Sequence, residues 1–190
     1  MTQQLNHLLW SIGFLALAWQ CSSPVNTTVS TSPTYEEQVR ETATAYFSTF
    51  SERKDWDKLL SFYRSDLQFQ DIALHLELDS LWQFERFYNW PDTGFQKLSP
   101  EQQHLAIESL VVQDSTAVVR GHLNPFKYYG ALIDSDWGME FTIWLYFDEN
   151  LKIARQVDWF EYDPTVVESV LTRYKKQGVD KTPDWLDLSR

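Results

Sequence analysis

The chain has 190 residues, a net charge of −11, 43% hydrophobic and 16% aromatic residues. That length allows one domain of roughly 150 residues plus extensions, and the apolar content supports a packed core. The acidity excludes nucleic acid as a partner and anionic lipid docked through a basic patch, since both are bound by clustered Lys and Arg. A single cysteine excludes an internal disulfide and the zinc sites built on paired cysteines. His7, His75, His104 and His122 show neither HxH nor HExxH spacing, so no metal is expected.

In chain order, residues 1–20 read as a signal peptide. Residues 8–19 (LLWSIGFLALAW) form an uncharged run too short for a membrane-spanning helix, which needs about twenty residues. The run has the length of a secretory apolar region. Cys21 follows it directly, and this placement resembles the lipobox of bacterial lipoproteins, in which the signal is cut before a cysteine that then carries lipid. Gln20 stands where a small residue is usual, and no Lys or Arg precedes the run; a plain signal peptide or a disordered start is the other reading. Residues 21–34 are rich in Ser, Thr and Pro and read as a flexible tether. The resemblance implies lipidation at Cys21, contact with membrane through the lipid alone, and a place in the bacterial cell envelope, periplasmic or surface-exposed.

A folded domain is expected over 35–163. Residues 35–50 place Val39, Thr42, Ala43, Tyr46, Phe47 and Phe50 at helical spacing. A second helix is expected over 55–63, with Asp55 as its cap and Trp56, Leu59, Leu60 and Tyr63 on one face. Residues 67–74 start as a strand with Leu67, Phe69 and Asp71 on one side. Residues 79–88 read as a helix that ends before Pro91. Four strands follow, over 104–113, 116–125, 136–147 and 151–162, the last two joined by the turn 148–150. Residues 164–176 form an amphipathic helix at the start of a C-terminal segment, 164–190. Helices first and an antiparallel sheet after them make an α+β fold, with helices on one face of a curved sheet.

The stretches AYFSTFSERKDWDKLLSFYRSDLQFQD and FTIWLYFDENLKIARQVDWFEYD carry a further resemblance. Asp55, Trp56, Asp57, Tyr63, Asp66, Phe69, Asp71, Lys152 and Ile153 occupy the places of a pattern found in the nuclear-transport-factor-2-like superfamily, in its SnoaL-like and ketosteroid-isomerase-like branches. The resemblance implies a cone: a curved antiparallel sheet wrapped by N-terminal helices around an apolar cavity. It implies that Phe141, Ile143, Leu145 and Phe147, with Gln156, Asp158 and Phe160, point inward. Trp82, Phe69, Ile143, Leu145, Gln156 and Phe160 are expected to contact a ligand, with Trp82, Tyr88 and Trp90 at the mouth. Asp71 falls where the isomerase branch keeps its proton-shuttling carboxylate and Tyr46 where it keeps its oxyanion-binding phenol, with Asp158 as a second acid or base. Ile143 stands where that branch has another acid.

Each residue also has a plainer role. Asp71 can cap a turn, Tyr46 can be a core aromatic, and Asp158 can pair with Arg155 or Lys152. Three functions stay open. One is a tethered domain that binds a small hydrophobic ligand. Another is a cofactor-independent isomerase, cyclase or dehydratase that uses Asp71 and Tyr46. The last is an interaction domain that forms a homodimer through a sheet face bearing Trp144 and Tyr146.

Overall fold

The computed structural model describes residues 32–91, 93–134 and 139–162, with Pro164, Val167, Glu168 and Thr172 beyond them. Cys21, the signal segment and most of the tether lie outside the described residues. So does most of the helix expected over 164–176, of which Pro164, Val167, Glu168 and Thr172 are helical. The described residues from Pro33 onward group as one compact unit.

Helix α1 (Tyr35–Glu52) starts with a capping box: the Thr34 hydroxyl accepts from the Glu37 N–H, and the Glu37 carboxylate accepts from the Thr34 N–H. It buries Val39, Ala43, Tyr46, Phe47 and Phe50 against strands β4 (Leu105–Gln113) and β5 (Thr116–Leu123). Helix α2 (Trp56–Ser61) is capped by Asp55, whose carboxylate accepts from the Lys58 N–H at 2.9 Å. A six-residue helix has little stability of its own. Asp55→Ala is therefore expected to cost about 1 kcal/mol in urea unfolding, with the slope unchanged.

Tyr63 does not continue α2. It opens strand β1 (Tyr63–Asp71), pairs with Ile153 and sends its ring into the core. Leu67, Phe69 and Asp71 alternate inward along β1, as the period of two requires. Helix α3 (Leu81–Tyr88) packs on β1 and ends at Asn89 in the left-handed conformation.

The main sheet has the order β2-β1-β9-β8-β5-β4, with β2 (Leu76–Leu78), β8 (Glu140–Phe147) and β9 (Ile153–Phe160) completing it. Every pairing is antiparallel except β1 with β9, which is parallel, so the sheet is mixed and the purely antiparallel expectation is corrected. Direction relative to a partner far along the chain is not written in a strand's own alternation. Register shifts interrupt β1, β4 and the β8–β9 pair and bend the sheet around the helices.

A second sheet, in the order β3-β6-β7, consists of β3 (Phe95–Lys97), β6 (Phe126–Tyr128) and β7 (Ala131–Ile133). Together with β2, these three-residue strands are too short to show alternation and were not expected from the sequence. They lie near the end of the main sheet where β4 begins and β5 ends, since the Asn124 N–H donates to the His104 carbonyl just before β6.

Candidate functional site

The inner face holds the two strand sets that the resemblance implies. Phe141, Ile143, Leu145 and Phe147 are buried, as are Gln156, Asp158 and Phe160. The narrow part of the cone is not hollow. Tyr46, Tyr63, Phe69 and Phe84 fill it, Tyr46 meeting Tyr63 edge-on at 5.7 Å and Phe84 meeting Tyr63 at 4.7 Å. Phe69, Ile143 and Leu145 are therefore core side chains beneath the open space and do not form its wall. The hollow that remains is a cavity of about 120 Å³ at the wide end. Phe50 from α1, Tyr88 from α3, Phe95 and Phe126 from the small sheet, and Phe160 and Tyr162 from the end of β9 line it.

Of the expected ligand contacts, Phe160 lies on this wall. Trp82 does not: it is 48% exposed on the outer side of α3, with Arg86 over its ring at 5.2 Å. The mouth cluster is divided. Tyr88 faces the cavity, whereas Trp90 packs between Phe50 and Trp56.

The polar groups of the core form two connected sets. In the first, the Tyr46 hydroxyl lies 2.6 Å from that of Tyr63, and both reach Gln156 Oε1, Tyr63 at 2.6 Å and Tyr46 at 3.1 Å. Gln156 Nε2 donates to Asp158 Oδ1 at 2.8 Å, and the Tyr88 hydroxyl donates to Asp158 Oδ2. In the second, the Tyr162 hydroxyl donates to Asp71 Oδ2 at 2.5 Å, and the Leu74 N–H donates to Asp71 Oδ1 at 2.8 Å. Asp71 thus closes the turn after β1 and also holds a tyrosine of the cavity wall.

This arrangement does not bring Tyr46 and Asp71 to one pocket. Tyr46 is fully buried, spends its hydroxyl on Tyr63 and Gln156, and is not on the cavity wall. Asp158 does not pair at the surface with Arg155 or Lys152; it is fully buried and stands directly across the β8–β9 ladder from Ile143. Tyr88 and Tyr162 carry the two carboxylates' influence to the cavity, and sequence reasoning missed that part in both. The sole signal for Tyr162 was its place two residues after Phe160.

Burial sets the protonation of both acids. It raises Asp158 to about 8, helped by the charge of Asp71 and opposed by the Tyr88 and Gln156 hydrogen bonds. It raises Asp71 to about 6, against the bonds from Tyr162, Leu74 and Ala73. At neutral pH Asp71 is mostly ionised and Asp158 mostly protonated.

On the outer face of the main sheet, Trp144 is 43% and Trp159 is 61% exposed, and Arg155 lies over Tyr146 at 5.3 Å. A separate cleft of about 390 Å³ runs along the β1–β2 edge among Gln70, Glu77, Asp79 and Arg155. Among the described residues no group of His, Cys, Asp and Glu is placed to hold a metal ion, and no helix is long and apolar enough to cross a membrane.

Neither a protein-family model nor a curated sequence relative matches the chain. Solved structures do. A protein described as a SnoaL-like polyketide cyclase from Shewanella putrefaciens is 21% identical with a TM-score of 0.54, over 68% of this chain and 93% of that one. A second so described, from Shewanella denitrificans, is 19% identical with a TM-score of 0.52, over 71% and 97%. An NTF2-like protein from Anabaena variabilis is 16% identical with a TM-score of 0.52, over 70% and 96%.

Proposed function

We propose that this domain, which has the nuclear-transport-factor-2-like fold, binds a small flat hydrophobic ligand in the cavity at the wide end of its cone. The observation that carries the reading is the cavity of about 120 Å³ walled by aromatic rings, with the hydroxyls of Tyr88 and Tyr162 at fixed points. Apolar walls bearing a few placed polar groups are what small-ligand sites are made of. An apolar engineered cavity of about 150 Å³ in another protein holds benzene, so this space suits one aromatic ring. Leu123 lies on the wall. Leu123→Trp is expected to fill the cavity and weaken toluene binding at least about tenfold, about 1.4 kcal/mol, as read by NMR titration. Equal binding by the variant would remove the cavity from the account.

The paired protonation states favour a second reading, cofactor-independent proton transfer of the isomerase or cyclase kind. In it, Tyr162 takes a proton from carbon next to a carbonyl while passing its own to the Asp71 carboxylate. In this step protonated Asp158 donates to the Tyr88 oxygen, reversing the direction of their hydrogen bond, and the Tyr88 proton turns to the developing enolate oxygen. The activity would rise with the ionisation of Asp71 near 6 and fall with that of Asp158 near 8. Tyr88→Phe should lower the isomerisation of 3-cyclohexenone by roughly 10²-fold. A flat pH profile for this reaction, or full activity of Tyr88→Phe, rules the reading out.

A lipid anchor at Cys21, which would place the domain in the cell envelope, and a homodimer through the Trp144 and Trp159 face belong to the same proposal. Incorporation of a labelled fatty acid that is lost in Cys21→Ser, and sedimentation velocity, test them.

A further inference from the structure

Gln156 lies beneath the cavity and does not line it, yet it joins the phenols of the core to Asp158. Its side chain is fully buried, so each of its polar atoms needs a partner. A count of protons fixes which way round the amide sits. Tyr46 and Tyr63 own one phenolic proton each, and one of the two is spent between their own oxygens, 2.6 Å apart. The other must leave the pair. It finds Gln156 Oε1, 2.6 Å from the Tyr63 hydroxyl and 3.1 Å from that of Tyr46. The opposite orientation would aim Nε2 at both phenols and strand one of their protons. Oε1 therefore faces the tyrosines, and Nε2 faces Asp158 Oδ1 at 2.8 Å.

An amide N–H can only donate, so Oδ1 accepts whatever the charge of the acid. The proton of neutral Asp158 then has two oxygens to choose from. On Oδ1 it would face the Gln156 N–H, and two hydrogens would oppose each other. On Oδ2 it meets the Tyr88 oxygen. The titratable groups that act on Asp158 are Asp71 and Tyr63 of β1, Tyr88 of α3 and Tyr46 of α1. All are neutral or negative, and apolar Ile143 stands opposite on β8. None of them offers Oδ1 a reason to keep the proton.

We propose that Gln156 is a positioning residue: locked by Tyr46 and Tyr63, it confines the proton of neutral Asp158 to Oδ2, from which it is donated to the Tyr88 oxygen. The inference rests on the proton-transfer reading above and adds the residue that sets the direction of its donor pair. Tyr46 thus acts on the pair through Gln156. When Asp158 ionises, Oδ2 loses its proton and the Tyr88 hydroxyl donates to it instead.

Isotope-edited infrared spectroscopy of the full chain near neutral pH reads the placement. With the proton on Oδ2, Oδ1 is the carbonyl oxygen of the acid, and a hydrogen bond to a carbonyl oxygen lowers its stretching frequency. Gln156→Met should therefore move the Asp158 carbonyl band, identified by its loss in Asp158→Asn, to higher frequency. The variant also removes a donor that favours the carboxylate, so Asp158 should ionise at higher pH than in the parent, as followed by ¹³C NMR of its carboxyl carbon. The alkaline limb of 3-cyclohexenone isomerisation should move with it; a packing role alone would move neither. Tyr46→Phe and Tyr63→Phe added to Gln156→Met leave no phenol without an acceptor, and this triple variant, which should show the same shifts, serves if the single one does not fold. In the unaltered protein the Gln156 side-chain amide resonances should move as Asp158 ionises. A band and an ionisation that stay in place in the variants, or amide resonances that ignore Asp158, overturn the proton placement whatever the activity. A parent that does not isomerise the probe while the band shifts as expected overturns the proton-transfer reading and leaves the placement standing.

Discussion

Resistance to urea is expected to be greatest near pH 4 and to fall by several kcal/mol as the pH rises to about 8, because Asp71 and Asp158 hold protons in the folded state that they lose when unfolded. Unfolded, both carboxyls ionise near 3.8; folded, they ionise near 6 and 8. Between those limits the folded protein binds more protons than the unfolded one, so stability falls with rising pH. The loss begins above 3.8 and levels off above the folded value of Asp158. Every tenfold weakening of a carboxylic acid on folding is worth about 1.4 kcal/mol, and Asp158, weakened more than Asp71, carries the larger share. Ionising Asp71 first makes Asp158 harder to ionise, and the two titrate as a coupled pair.

Asp158→Asn separates their contributions. Asparagine can accept from Gln156 Nε2 and donate to the Tyr88 oxygen, so the network stays satisfied while the charge is gone. The variant should be more stable than the parent at pH values above 8, and the remaining decline should follow Asp71. Urea midpoints that do not change across this pH range would show that the two acids are solvated in the folded protein.

Gly121→Ala is expected to be the most damaging single-methyl addition in the main sheet, costing about 3 kcal/mol through overpacking. A Cβ on Gly121 would lie 2.2 Å from the Ala106 carbonyl oxygen and 3.0 Å from the Phe141 ring. The obstacle is backbone, so no side chain can turn away to relieve it. Gly121 pairs with Ile107 at the register shift of β4, where one strand bends sharply over the other. A glycine opposite a bulge is how a sheet obtains such curvature. The bend also sets the wide end of the cone, where Leu105, Leu123 and Phe160 meet the cavity. The variant should show a lower urea midpoint and weaker toluene binding together. An unchanged midpoint would mean that the sheet's curvature does not depend on this contact.

The helices and long strands were legible because their burial follows a regular period. Val39, Ala43, Tyr46, Phe47 and Phe50 recur with the helical turn, and Phe141, Ile143, Leu145 and Phe147 alternate with the pleat. Each element carries this information within itself. Parity sorted β9 into two faces, and the family resemblance chose Gln156, Asp158 and Phe160 as the inward one, which is buried as expected. Asp71 had a turn-capping reading and a cavity reading; it accepts from the Leu74 N–H in the turn and meets the cavity wall only through the Tyr162 hydroxyl.

What the residues determined alone is therefore which face of each element is apolar, where helices are capped and where strands turn, because these follow from chemistry within a few positions along the chain. Tertiary structure alone decided the parallel β1–β9 pairing, the filling of the cone by Tyr46, Tyr63 and Phe84, and the small sheet at its mouth. It also decided that Tyr88 and Tyr162 stand before the two acids, and that Arg53 and His104, far apart in sequence, share the Phe95 ring. Those outcomes depend on which distant surfaces meet and how much volume their side chains leave between them, and no local period records either quantity.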